Sequence, residues 1–139
     1  MDESFGIEVG TTVSFSKTVG ESDVYLFAGI TGDLSPNHVN EEFMRSTSYG
    51  RRIAHGVLAL GYASTASSLL VAKHDAKAVS YGYDRVRFVA PIFLGDTLTV
   101  SYLVTELDST QAKSYADVII KNQEGTLCMV ARHIMKFLV

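Results

Sequence analysis

The chain has 139 residues, 47% of them hydrophobic and 19% charged, with a formal charge of −3. That length suits one domain, spanning residues 1–139, and is too short for a cofactor domain plus a substrate domain. The apolar content and only two prolines exclude disorder, and fifteen acidic against twelve basic residues argue against a general nucleic-acid binder.

Cys128 is the single cysteine. It cannot close an internal disulfide or by itself make a zinc site, so a reducing compartment is expected. The acidic start, Met1-Asp2-Glu3-Ser4, lacks the basic-then-apolar layout of a signal peptide. A cytoplasmic location without membrane association follows as an expectation.

In chain order, Thr11 to Val19 alternates, with Val13 and Phe15 on one face, and predicts a strand. Glu21 to Ile30 places Val24, Phe27 and Ala28 at helical spacing, with Glu21 or Ser22 near its start. Thr31-Gly32-Asp33-Leu34-Ser35-Pro36-Asn37-His38 reads as a turn-rich loop. Asn40 is placed to cap a short helix through Glu41, Glu42, Phe43 and Met44, with acids in the turn where the dipole favours them.

From His55 to about Lys73 apolar residues occupy nearly every side, and Ala59, Gly61, Ser64 and Ala66 fill the rest. Such a pattern predicts a buried helix that a sheet can approach closely. Its serines and Thr65 leave it short of the roughly 18–20 apolar residues that spanning a bilayer needs. After it the period becomes two, over Ser80–Val89, Asp96–Leu107, Gln111–Asn122 and Thr126–Leu138. Pro91, Gly95-Asp96, Asp108-Ser109 and Glu124-Gly125 mark the turns between them. These strands in unbroken succession predict an antiparallel meander, and the whole an α+β fold: one helix packed against one curved sheet of about five strands.

Two features can carry chemistry. Asp33 and His38 stand five residues apart with Pro36 stiffening the link, a carboxylate and an imidazole able to bracket one water. The structural alternative has Asp33 satisfying turn amides and His38 marking a helix entrance. The second feature is Ile53-Ala54-His55-Gly56, where the helix opens with amides that lack internal partners. A glycine there lets a carbonyl approach the bare backbone, as an oxyanion hole requires; the alternative is an ordinary helix start with His55 as neutral filler.

Together these stretches resemble a known pattern. Phe27 through His38 is similar to the hydratase motif of the MaoC-like dehydratase family, which includes the R-specific enoyl-CoA hydratases. The resemblance continues through Ile53-Ala54-His55-Gly56, Ser64, Arg87-Phe88, Pro91 and Gly95-Asp96, from about Val19 to the C-terminus. It implies a hot-dog fold, a long helix wrapped by an antiparallel sheet, and R-specific hydration of a trans-2-enoyl-CoA, or the reverse dehydration. It further implies that Asp33 and His38 activate water, that the Gly56 amide polarises the thioester carbonyl, and that Ser64 lines the same pocket. No cofactor or metal is implied, and a homodimer or dimer of dimers is. Two positions depart from the family pattern: Ser35 stands where Asn is usual, and Asn37 where an aliphatic residue is common.

Charge is uneven along the chain. Arg45 to Arg87 carries seven basic and two acidic residues, a balance of +5, and the remainder carries −8. If the ligand is an anionic CoA thioester, Arg51, Arg52, Arg85 or Arg87 could meet its phosphates, Arg85 and Arg87 being the foremost candidates. Tyr49, Tyr62, Tyr81 and Tyr83 serve either an acyl tunnel or the core. Cys128 reads as a small buried hydrophobe, and His74 and His133 show no partner spacing. Two other functions share these residues: a hot-dog acyl-CoA thioesterase, and a non-catalytic acyl-CoA-binding subunit.

Overall fold

A computed structural model describes residues 5–138. The elements are β1 (Thr12–Thr18), α1 (Glu21–Thr31), α2 (Pro36–Val39), α3 (Glu41–Arg45), α4 (Gly56–Lys73), β2 (Ala78–Phe88), β3 (Thr97–Asp108), β4 (Lys113–Lys121) and β5 (Leu127–Phe137). All strands join one sheet in the order β1-β3-β4-β5-β2, and every neighbouring pair is antiparallel. The two-residue period buries alternate positions: Leu98, Val100, Tyr102 and Val104 on β3, Ala116, Val118 and Ile120 on β4, Ala131, His133 and Met135 on β5. Their side chains form one face, and α4 lies across it with Ala59, Ala63, Ala66 and Leu70 buried. Three alanines in that stripe let the helix backbone approach the sheet, and Leu70 fills the space at its far end.

The α+β architecture and the helix wrapped by five strands are as expected, with two corrections. The meander holds only for β3-β4-β5. Strand β2 pairs with β5, so the chain leaves one edge of the sheet at Phe88 and crosses to β3 before the meander begins. Local alternation specifies that a segment is a strand but not which edge it joins. Second, α4 is not covered all round. A single sheet can shield only one side of a helix, so Val57 (56% exposed) and Leu69 (43% exposed), with Ser64 and Ser68, remain uncovered. At 18 residues and a mean hydropathy of 1.2, α4 does meet the length and composition of a membrane-crossing helix, contrary to the expectation from its serines. Core helices meet the same criterion, and the stripe from Ala59 to Leu70 is buried in this fold.

The crossing from β2 is anchored at Gly95-Asp96. Gly95 sits at φ 99°, and its amide donates to the Val19 carbonyl, while the Val19 amide donates to the Asp96 carbonyl. The buried Asp96 carboxylate accepts from the Phe93 amide and from Gln123 Nε2 at 2.9 and 3.0 Å. This residue pair is therefore consumed by the turn.

Residues between β1 and α4 form a separate layer over the N-terminal end of α4. The Ile53 amide donates to the Asn37 carbonyl (2.9 Å) and the Ala54 amide to the Ile92 carbonyl (2.7 Å). Arg52 ties this layer together: its backbone amide donates to Glu41 and its guanidinium to Glu21, with the Tyr25 hydroxyl alongside. Hydrogen bonding to Arg52 holds both carboxyls below the usual range.

Candidate active site

The layer over α4 delivers its polar groups through three local devices. Helix α1 ends at Gly32, whose φ of 82° is left-handed and whose amide donates to the Ala28 carbonyl. That reversal sends Asp33 out of the helix line. Asp33 Oδ1 then accepts from the Ser35 amide at 3.3 Å, and its own amide donates to Thr31 Oγ1 at 3.2 Å. Next, Pro36 occupies the first position of α2, where its missing N–H costs nothing. What reads as a plain loop thus holds one helical turn, and that turn carries His38 inward to 8% exposure. Third, Asn40 accepts the Phe43 amide at 3.0 Å and starts α3, as expected.

His38 Nδ1 lies 2.7 Å from the Ile53 carbonyl oxygen. A carbonyl only accepts, so Nδ1 carries the proton and Nε2 is left as the basic nitrogen. His55 is 2% exposed, and its Nε2 donates to the Asp33 carbonyl at 3.0 Å. The two imidazoles stack with centroids 3.7 Å apart and planes 28° from parallel. Asp33, His38 and His55 bring a carboxylate oxygen and ring nitrogens within 4.8 Å of one another. These are donors a metal could use, each imidazole having one nitrogen held by a carbonyl and the other uncommitted.

A cavity of about 210 Å³ opens beside this cluster, lined among others by His38, Tyr49, Gly56, Phe88, Pro91 and Cys128. Gly56 is the first residue of α4, capped by the extended backbone of His55, so its amide is among those without an intrahelical partner. The structure adds a steric reason for glycine here. A Cβ at position 56 would lie 2.6 Å from the Phe88 ring, so the missing side chain is what admits that ring to the helix start.

The structure therefore brings Asp33, His38 and Gly56 to one end of α4. His38 and Gly56 line the cavity, Asp33 is exposed beside it, and Ser64, Arg85 and Arg87 lie elsewhere. Ser64 lines a groove of about 380 Å³ between α4 and β2, with Ser67, Ser68, Ser80 and Met135. Arg85 sits in a bulge of β2 with φ 56° and lines a depression with Asp117 and Arg132. Arg87 is exposed and donates to the Val86 carbonyl. Of the tyrosines, Tyr49 lines the cavity and Tyr62 is in the core; Tyr83 packs on that core, and Tyr81 is exposed. Cys128 is buried as expected, though it also reaches the cavity wall; burial pushes its thiol pKa up.

Sequence reasoning missed two groups at the site, His55 and Phe88. Both lie in motifs already singled out, but a ring stacked on His38 leaves no periodic trace. Away from the site it also missed His133, fully buried between the Tyr102 hydroxyl (2.6 Å from Nδ1) and Ser80 Oγ (2.8 Å from Nε2).

Residues 3–125 match the family model described as MaoC like domain. The chain belongs to the MaoC-like family. It is 40% identical over 101 residues to the (R)-specific enoyl-CoA hydratase of Rhodospirillum rubrum, an alignment covering 73% of this chain and 68% of that one. It is 31% identical over 130 residues to the (R)-specific enoyl-CoA hydratase of Aeromonas caviae, covering 94% and 95%. The solved structure of the A. caviae (R)-hydratase superposes with a TM-score of 0.83 at 30% identity, over 95% of this chain and 98% of that one. The hot-dog architecture of this MaoC-like chain is thereby shared with a hydratase over nearly its full length.

Proposed function

We propose that this MaoC-like protein catalyses R-specific hydration of a trans-2-enoyl-CoA to a 3-hydroxyacyl-CoA, and the reverse dehydration. The observation that carries the reading is the gathering of the Asp33 carboxylate and the His38 imidazole within 4.8 Å at the N-terminal end of α4. The relatives named as (R)-specific enoyl-CoA hydratases support it.

In the hydration direction, a water held between Asp33 and His38 Nε2 loses a proton to one of them as its oxygen bonds to C3. The double bond's electron pair moves toward the thioester oxygen, and a proton is delivered to C2. The Gly56 amide, with the positive end of the α4 dipole, stabilises the negative charge on that oxygen. A single donor of this kind lowers the barrier by about 3–4 kcal/mol. Ser64, in the groove along α4, is proposed to meet the acyl portion, and Arg85 or Arg87 the CoA phosphates.

A second copy of the chain belongs to this reading. Among the described strands β2 is bonded to β5 alone, and it leaves Phe88 exposed against the start of α4, whose Val57 and Leu69 are also uncovered. Side-by-side pairing of two subunits along this edge would cover both and close the site. Light scattering on the purified protein should therefore report twice the chain mass.

The test is loss of enoyl-thioester absorbance with crotonyl-CoA, followed by chiral analysis of the product. Formation of the (R)-3-hydroxy product without free thiol is expected; thiol release would instead identify a thioesterase. Asp33→Asn should lower kcat roughly 10²–10⁴-fold with little change in KM.

A further inference from the structure

We propose that His55 is a positioning residue for this reaction, acting through the Asp33 main chain and the His38 ring without touching substrate. The inference rests on the hydratase reading and adds a third residue to it. Three observations converge. The His55 Nε2–H donates to the Asp33 carbonyl at 3.0 Å across 22 residues of sequence, tying the loop that carries the carboxylate to the start of α4. The ring stacks face to face on His38 at 3.7 Å and packs against Phe27 at 4.7 Å. Its backbone is the N-cap of α4, so the same residue places the Gly56 amide.

His55 thus links the carboxylate, the imidazole and the amide that the reaction uses. Its placement favours an indirect role. Nε2 is committed to the Asp33 carbonyl, Nδ1 is buried with no hydrogen-bond partner among the described residues, and at 2% exposure the ring is not part of the cavity lining. The position also explains the residue type. It demands a flat ring to stack on His38 and a donor at the far end of that ring, which among uncharged side chains of this size only a neutral imidazole offers. The bare Nδ1 is the cost of that choice, since the other tautomer would set two lone pairs, Nε2 and the Asp33 carbonyl, against each other.

Displacing the Asp33 loop by about 1 Å is enough to lower turnover roughly 10²-fold. The experiment compares His55→Gln, whose amide reaches the Nε2 position and keeps the donor, with His55→Phe, which keeps the ring and loses it. We expect His55→Phe to lower kcat roughly 10²-fold with KM nearly unchanged, and His55→Gln to recover most of that loss. Equal activity in the two variants would overturn the proposal. Long-range ¹⁵N NMR of the wild-type protein supplies a measurement independent of folding of the variants and of activity. It should show a proton on His55 Nε2, and an unprotonated Nε2 would overturn the proposal even where His55→Phe fails to fold. If the wild-type protein hydrates no enoyl thioester, the functional reading fails instead, while the NMR result still decides the His55–Asp33 link.

Discussion

Two regions of this molecule bury histidine, and they do so to opposite ends. In the sheet, His133 has a hydroxyl on each ring nitrogen, Tyr102 on one side and Ser80 on the other, and Tyr83 packs on it at 4.5 Å. In the layer over α4, His38 and His55 each give one nitrogen to a backbone carbonyl and keep the other uncommitted. A ring saturated at both nitrogens can only stabilise the structure; His38, anchored at one nitrogen and lining the cavity, can move a proton, while His55, whose second nitrogen is buried, holds the Asp33 loop. The difference lies in the surroundings, since the sheet offers side-chain hydroxyls from other strands on its inner face and the irregular layer offers main-chain carbonyls.

The sharpest way to break this contrast is to exchange the consequences. His38→Ala should lower kcat roughly 10³-fold while the free energy of unfolding falls by only about 1–2 kcal/mol, mainly from the lost bond to Ile53. Kinetics and urea denaturation on the same preparation would check it. If stability fell far and turnover hardly changed, His38 would belong with His133.

His133 carries the reverse signature. Burial drives its pKa down from 6.5 to about 4. The unfolded chain therefore takes up a proton that the folded protein resists. This contribution is fully present above about pH 6.5 and is lost as the pH falls toward about 4, by roughly 3 kcal/mol. Urea midpoints measured across that interval should fall in the wild-type protein and flatten in His133→Gln. An unchanged slope in the variant would remove His133 as the cause.

A smaller effect is expected at Gly56. An alanine there pushes on the Phe88 ring and should cost about 1–3 kcal/mol of stability, besides disturbing the amide at the helix start. In a Phe88→Ala background the same change should cost much less, and a double-mutant cycle would show it. The smallest shift belongs to Tyr102→Phe. It leaves His133 Nδ1 without its partner, at a cost of about 1–2 kcal/mol in thermal unfolding and no change in kcat.

Much of this protein was legible from local pattern. The strands of the sheet, the helix from His55, and the cap at Asn40 follow from period-two alternation, a dense apolar run and a short side chain able to accept an amide. Asp33 and His38 stand out as a carboxylate and an imidazole five residues apart, but that spacing leaves a structural reading open, and the resemblance to the MaoC-like family is what singles them out as a pair. The helical turn at Pro36–Val39 was not legible, because its residues suit turn and helix start equally and packing of His38 decides between them.

What the residue order determined by itself was periodicity and local chemistry, since both depend on neighbours a few positions away. Only the tertiary structure decided that β2 joins β5, that one face of α4 stays uncovered, and that Gly56 is small to admit Phe88. It alone decided the separate fates of the buried histidines. Each of those outcomes is a contact between residues tens of positions apart, set by which surfaces the sheet can cover, and no local pattern encodes it.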